Sequence, residues 1–111
     1  MLEARDNESI LQLLGLAQRA RKVISGETVV LSALSSGDVQ LVFLASDAGQ
    51  STKKRMEDKT TYYQIPLLVC FHRGELGRAI GKEERVVVAI TDPGFAQAIR
   101  RKIHTGVSFN E

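Results

Sequence analysis

Two apolar rhythms alternate along this chain. Ile10, Leu13, Leu14 and Ala17 recur at helical spacing, behind Ser9 as a candidate N-cap and ahead of a basic cluster, Arg19, Arg21 and Lys22, that suits a helix C-terminus. The polar residues 1–8 before them read as a frayed end. A short apolar run, Val23-Ile24, stops at Ser25-Gly26, where a second helix begins: Glu27 lies in its first turn, Val30, Ala33 and Leu34 share one face, and Gly37 ends it. Leu41 to Ala45 are unbroken apolar residues, a buried strand. Turn residues Ser46 to Gly49 lead into a charged helix from about Gln50 to Tyr63. Its apolar side is thin (Met56, Tyr63), and Lys53, Lys54, Arg55 and Lys59 stand among Glu57 and Asp58 as a solvated face.

Pro66 opens a third apolar run, Leu67 to Cys70. A loop at Phe71-His72-Arg73-Gly74 precedes a short helix, Glu75 to Ile80, closed by Gly81. Val86 to Ile90 is the plainest buried strand. Asp92-Pro93 is a strong helix start, with Asp as N-cap and Pro in the first turn. Phe95, Ala96, Ile99 and Ile103 supply the stripe of that last helix, Arg100 to Lys102 fall near its end, and the final TGVSFNE reads as a tail. Strands without polar alternation are covered on both faces, and here they alternate with amphipathic helices. The pattern predicts an α/β fold, a three-layer α/β/α sandwich around a small, largely parallel sheet.

Composition narrows the class. The 111 residues predict one domain spanning 1–111, with its core over about 9–104, and 43% hydrophobic with 25% charged residues is a globular balance. A net charge of +2 is too small to establish a polyanionic partner by itself, so the placement of the cations decides. The single cysteine, Cys70, excludes an internal disulfide and suits a reducing compartment. The N-terminus lacks a signal-peptide apolar region, and no apolar run approaches the ~20 residues of a membrane span. A cytoplasmic protein with no membrane partner is expected.

Catalytic chemistry is sparse. The only histidines are His72 and His104. Cys70 and His72 would share a face on a continuing strand, which admits a thiol–imidazole pair; against it, a strand cysteine is commonly a small buried hydrophobe and a loop histidine solvated. Asp47, Asp58 and Asp92 read as turn, helix-surface and cap residues. Gly77 and Gly81 lie within and after a helix rather than after a strand, which fails the context of a nucleotide-binding fingerprint. No phosphate-loop motif and no metal-ligand spacing is present. The expectation is no enzyme, no cofactor and no metal.

A surface argument remains. Loops gather at one end of a small α/β sandwich, the usual place for a ligand. The turn at Ser25-Gly26-Glu27 and the loop at Phe71 to Glu75 are candidates to lie there, where two helix N-termini would offer unpaired N–H groups to phosphate oxygens. Arg73 and Arg78 supply charge, and Phe71 is a candidate to contact an unstacked base.

The segments LLGLAQRARKVISGE, LVFLASDAGQSTKKRMEDK, YYQIP and LGRAIGKEERVVVAITDPGFA closely resemble the bacterial YlxQ group, within the superfamily of kink-turn-binding ribosomal proteins typified by the archaeal ribosomal protein L-seven-Ae. The likeness covers roughly residues 10–103. It implies an α/β/α sandwich around a mixed four-stranded sheet, and a non-catalytic, ribosome-associated protein, a monomer, that binds structured RNA: a kink-turn or ribosomal RNA. In a kink-turn, tandem G·A pairs would receive the start of the second helix, and the loop before the fourth helix would pack on the bent nucleotides. Carried onto this chain, the helix-start contacts fall on Gly26, Glu27, Thr28, Val29 and Ser32, and the loop contacts on Phe71, His72, Arg73, Gly74 and Glu75. The match is uneven. RNA-binding members show Gly-x-Asn-Glu and a lysine three residues on, where this chain has Thr28, Val29 and Ser32. An interaction module on the same fold with weakened RNA affinity is therefore the alternative.

Overall fold

A computed structural model describes residues 4–106 of the chain, with side chains over 7–103. The elements run α1 (Ala4–Arg19), β1 (Val23–Ser25), α2 (Glu27–Ser35), β2 (Leu41–Leu44), α3 (Gln50–Tyr63), β3 (Leu67–Val69), α4 (Arg73–Ala79), β4 (Val87–Ile90) and α5 (Pro93–Gly106). The strands form one four-stranded sheet in the order β1-β4-β2-β3.

The sheet is mixed, as the resemblance implied. β2 and β3 are parallel, but β4 runs antiparallel to both β1 and β2. The largely parallel sheet expected from the apolar runs is thereby corrected. All four residues of β2 and of β4 are buried, which is why they carry no polar alternation. Burial on both faces demands apolar residues in either direction, so such a run carries no information about polarity.

Alternate strand residues feed two cores. Leu41, Phe43, Ala45, Val88 and Ile90 face one side, where Ile10 and Leu14 of α1, Leu76 of α4 and Ile99 and Ile103 of α5 cover them. Val42, Leu44, Val87 and Ala89 face the other, against Val30 and Leu34 of α2 and Met56 of α3. These are the three expected layers. On the thin side of α3, Thr60 joins Met56 as a buried residue, its hydroxyl donating to the Met56 carbonyl at 2.7 Å.

Two helix starts differ from the sequence expectation. α1 begins at Ala4, so Ser9 lies inside it and is not a cap, and residues 4–8, expected frayed, are helical. The apolar stripe marks where burial begins, at Ile10, not where the helix does. α4 begins at Arg73, two residues earlier than expected, with His72 as N-cap. The His72 N–H donates to Glu75 Oε1 at 2.9 Å, so Glu75 occupies the third helical position, where a carboxylate reaches back to the cap. Asp92 behaves as its motif predicts: its Oδ2 accepts from the Phe95 N–H at 2.9 Å. Of the expected tail, residues 105 and 106 continue α5 and the rest lies outside the described residues.

The segment between α4 and β4 is seated on a glycine. Gly77 is buried, and a Cβ there would lie 1.7 Å from the Glu83 carbonyl oxygen. Lys82 N–H donates to the Gly77 carbonyl at 2.8 Å, and Arg85 N–H to the Arg73 carbonyl at 3.0 Å. A short polar connection is thereby laid along α4 and delivered into the sheet.

Candidate nucleic-acid interface

Strand register brings the candidate residues to one end of the molecule. Ser25, the last residue of β1, pairs with Val88; Leu44, the last of β2, pairs with both Val87 and Val69. The C-terminal ends of β1, β2 and β3 thus meet the N-terminal end of β4. The turn at Gly26 and the connections at 45–49, 70–72 and 80–86 share that end, and Gly26 and Arg73 lie together there.

The Gly26 turn sets the direction of α2. Its φ of 99° and ψ of 139° lie in a region that residues with a Cβ rarely enter, and its N–H donates to the Val87 carbonyl at 2.9 Å. No side chain caps α2, whose first helical bond is Val30 N–H to the Gly26 carbonyl at 3.0 Å. The N–H groups of Glu27, Thr28 and Val29 precede that bond and have no helical acceptor, which leaves an open positive mouth.

Around it the predicted contacts divide. Thr28, Val29 and Ser32 are solvent-facing, and Val29 is 51% exposed despite being apolar. They line a groove of about 600 Å³ with Ile24, Ala33 and Thr91. Glu27 instead turns to α3: its Oε1 accepts from Thr52 Oγ1 at 3.0 Å and its Oε2 pairs with Arg55. The Arg55 hydrogen bond holds the Glu27 carboxyl below the usual carboxylate range and pairs its charge, while Asp38 also lines the groove.

A lowered folded-state pKa stabilises above the unfolded value and loses that contribution as pH falls through the folded one. The α2–α3 tie is therefore expected to weaken only on the acid side. Denaturant midpoints of the wild type and Glu27→Gln should differ near neutrality and approach each other as the pH falls below the ordinary carboxylate range.

The β3–α4 side requires two corrections. Phe71, expected to contact a base, is 3% exposed and lies against Phe43 with ring centroids 6.3 Å apart. It closes the core at the strand end, and its ring is withdrawn from any base. The second helix mouth is also partly closed. Arg73 N–H, in the first turn of α4, donates to Asp47 Oδ1 at 3.0 Å, while the guanidinium donates to Asp47 Oδ2 at 3.2 Å and to the Asp47 carbonyl at 2.6 Å. Slight desolvation pushes the Asp47 carboxyl up, but the Arg73 hydrogen bonds outweigh it and the value is lowered. Arg73 is thus a clamp between two connections more than a free cation. His72 and Glu75 are exposed, and Gly74 is half-buried.

Free positive charge lies a turn further on. Arg78 and Lys82 are exposed and, among the described residues, make no ion pair; with Gly74, Arg85 and the carboxylate-bearing Glu83 and Glu84 they line an open groove of about 700 Å³. Arg85 was missed by sequence reasoning. Half-buried, it donates from Nε to Ser25 Oγ at 3.2 Å and from Nη1 to the Glu84 carbonyl at 2.8 Å. The charged stretch before the last strand reads only as a polar connection, and no local pattern distinguishes Arg85 from Lys82.

The thiol–imidazole alternative has no chemical support. Burial, and then the Glu75 carboxylate, push the Cys70 thiol up to about 12, so it is protonated at neutral pH, whereas a cysteine nucleophile acts as thiolate. Iodoacetamide is expected to label Cys70 in the folded protein at least ~10-fold more slowly than in denaturant, as followed by intact mass. Among the described residues no helix is long and apolar enough to cross a membrane.

Residues 8–100 match the ribosomal protein L7Ae/L30e/S12e/Gadd45 family. The chain is 51% identical over 87 residues to the RNA-binding protein YlxQ of Bacillus subtilis (strain 168), covering 78% of this chain and 87% of that one. A solved structure of a Bacillus halodurans protein of unknown function superposes with a TM-score of 0.83 at 50% identity, over 86% of this chain and 96% of the other. The Giardia lamblia 15.5kD RNA-binding protein shares the fold, with a TM-score of 0.79 over 96% and 94% of the two chains, at 18% identity.

Proposed function

Because the chain belongs to the ribosomal protein L7Ae/L30e/S12e/Gadd45 family, we propose that it is a non-catalytic RNA-binding protein that recognises structured RNA, a kink-turn or a ribosomal RNA element, through the end of the sheet where Gly26 and Arg73 meet. The carrying observation is the uncapped start of α2, whose N–H groups are presented beside Thr28 and Ser32 with the adjacent Glu27 carboxylate neutralised. Unpaired amides and a helix dipole favour phosphate and base acceptors. Arg78 and Lys82, on the same end, supply charge to the polymer backbone. The protein acts as one unit over residues 1–111, as a monomer in the cytoplasm, where ribosomal RNA is found.

Gel shifts against a kink-turn RNA, ribosomal RNA and a random duplex, each at several salt concentrations, test this. The expected result is tighter binding to a structured RNA than to the duplex, with affinity falling as salt rises. Equal, weak binding to all three would remove the proposal. A second reading, an interaction module on the same fold, is favoured by one feature, the exposed Val29 beside an apolar groove. It predicts partners recovered from lysate that survive ribonuclease; loss of all partners on ribonuclease treatment rejects it.

A further inference from the structure

The mouth of α2 is held by a part of the chain distant in sequence. Residues 82–87 form a strut fastened at five points. Lys82 N–H bonds the Gly77 carbonyl, Glu83 presses on Gly77 where no Cβ would fit, and Arg85 N–H bonds the Arg73 carbonyl. Arg85 Nε then reaches Ser25 Oγ at 3.2 Å, and the Val87 carbonyl receives the Gly26 N–H at 2.9 Å. Ser25 and Gly26 immediately precede the helix whose amides are exposed. Among the described residues Arg85 is the side chain that joins the Ser25 turn to the strut, while its own backbone is tied to the residue that clamps Asp47.

We infer that Arg85 is a positioning residue for RNA binding: through Ser25 it fixes the β1–α2 turn, and with it the direction in which the α2 amides point. The inference rests on the RNA-binding reading above for its functional consequence, though not for the strut. Arg85 acts on the turn, so its contribution to binding is routed through Ser25 rather than through a phosphate of its own. Arg78 and Lys82, exposed on the same groove, are the side chains that would meet the polymer directly.

The test combines Ser25→Ala, Arg85→Ala, the double variant and Arg85→Lys. Ser25→Ala and Arg85→Ala are each expected to weaken binding of a kink-turn RNA roughly fivefold or more, and the double variant no further than Arg85→Ala alone, because the two side chains form one contact. The slope of log affinity against log salt is expected to stay at its wild-type value in all of them. Arg85→Lys keeps the charge but lacks the Nε donor, and is expected to behave as Arg85→Ala. The opposite pattern overturns the inference: Ser25→Ala without effect, with Arg85→Ala flattening the slope by about one, marks a direct phosphate contact. An RNA-free readout separates the two layers of the argument. Hydrogen exchange of the Gly26 amide should quicken in Arg85→Ala and Ser25→Ala. Unchanged protection removes the strut, whereas changed protection in a chain that binds no RNA removes the function and leaves the strut.

Discussion

Gly77→Ala is expected to be the most damaging small substitution at the end of the sheet that carries Gly26 and Arg73, lowering stability by about 3 kcal/mol or more. The added methyl would lie 1.7 Å from the Glu83 carbonyl oxygen and 2.5 Å from its carbon, backbone atoms that no rotamer change can move. Accommodating it means lifting the 82–87 strut from α4, which breaks the Lys82 and Arg85 backbone bonds and loosens Gly26 from Val87. Gly74→Ala is the control. It lies one turn earlier on the same helix with nothing within 4 Å of a new Cβ, and should be neutral or gain up to about 1 kcal/mol from helix propensity. Urea midpoints of the two variants, measured side by side, decide the matter; equal midpoints would show that the strut does not bear on Gly77.

The second large effect is a gain. Ser32→Lys is expected to tighten kink-turn binding about tenfold to a hundredfold, since a charge-assisted hydrogen bond contributes about 1.5–3 kcal/mol. Ser32 occupies the position where the resemblance implies a lysine, and it is exposed beside the mouth, so the longer side chain has room. Val29→Glu, at the neighbouring departure, replaces an exposed apolar residue by a carboxylate able to accept from a guanine edge, and should add specificity more than strength. Titrations against a kink-turn and the same RNA with its G·A pairs changed to Watson–Crick pairs measure both. A Ser32→Lys variant that gains equally on both RNAs would indicate nonspecific charge attraction.

These predictions lean on different amounts of sequence information. The bounds of α3, from Gln50 to Tyr63, were legible because turn residues precede it and Pro66 follows it closely. The start of α5 was legible because Asp92 and Pro93 each fix one property of a helix N-terminus, a cap acceptor and a preset φ. The buried strands β2 and β4 were legible as apolar runs, but their relative direction was not, because both directions place the same side chains in the same two cores. α4 starts two residues before Glu75, because a carboxylate three positions after His72 is a capping pattern and marks the third helical position, not the first.

The site was legible only in part, for a related reason. Gly26 announces itself, since a strand-to-helix turn at positive φ selects glycine. Arg73 and Phe71 were visible as residue types, while their partners were not. Asp47 lies 26 residues before Arg73, and Ser25 lies 60 before Arg85. A charged residue that closes a long-range hydrogen bond has the same local sequence as one that waits in solvent. An aromatic residue at a strand end is equally ambiguous between core and surface.

The hydrogen bonds from Gly26 to Val87 and from Arg73 to Asp47 have a thermodynamic consequence for capture of a polymer. A flexible loop surrenders its freedom at the moment of association, and that loss is subtracted from the affinity. Here the proposed receptor surface surrenders it when the sheet folds, so the ordering cost at encounter would fall chiefly on the nucleotides that must bend, and an RNA already folded into its bent shape would be favoured over one that must be shaped on contact.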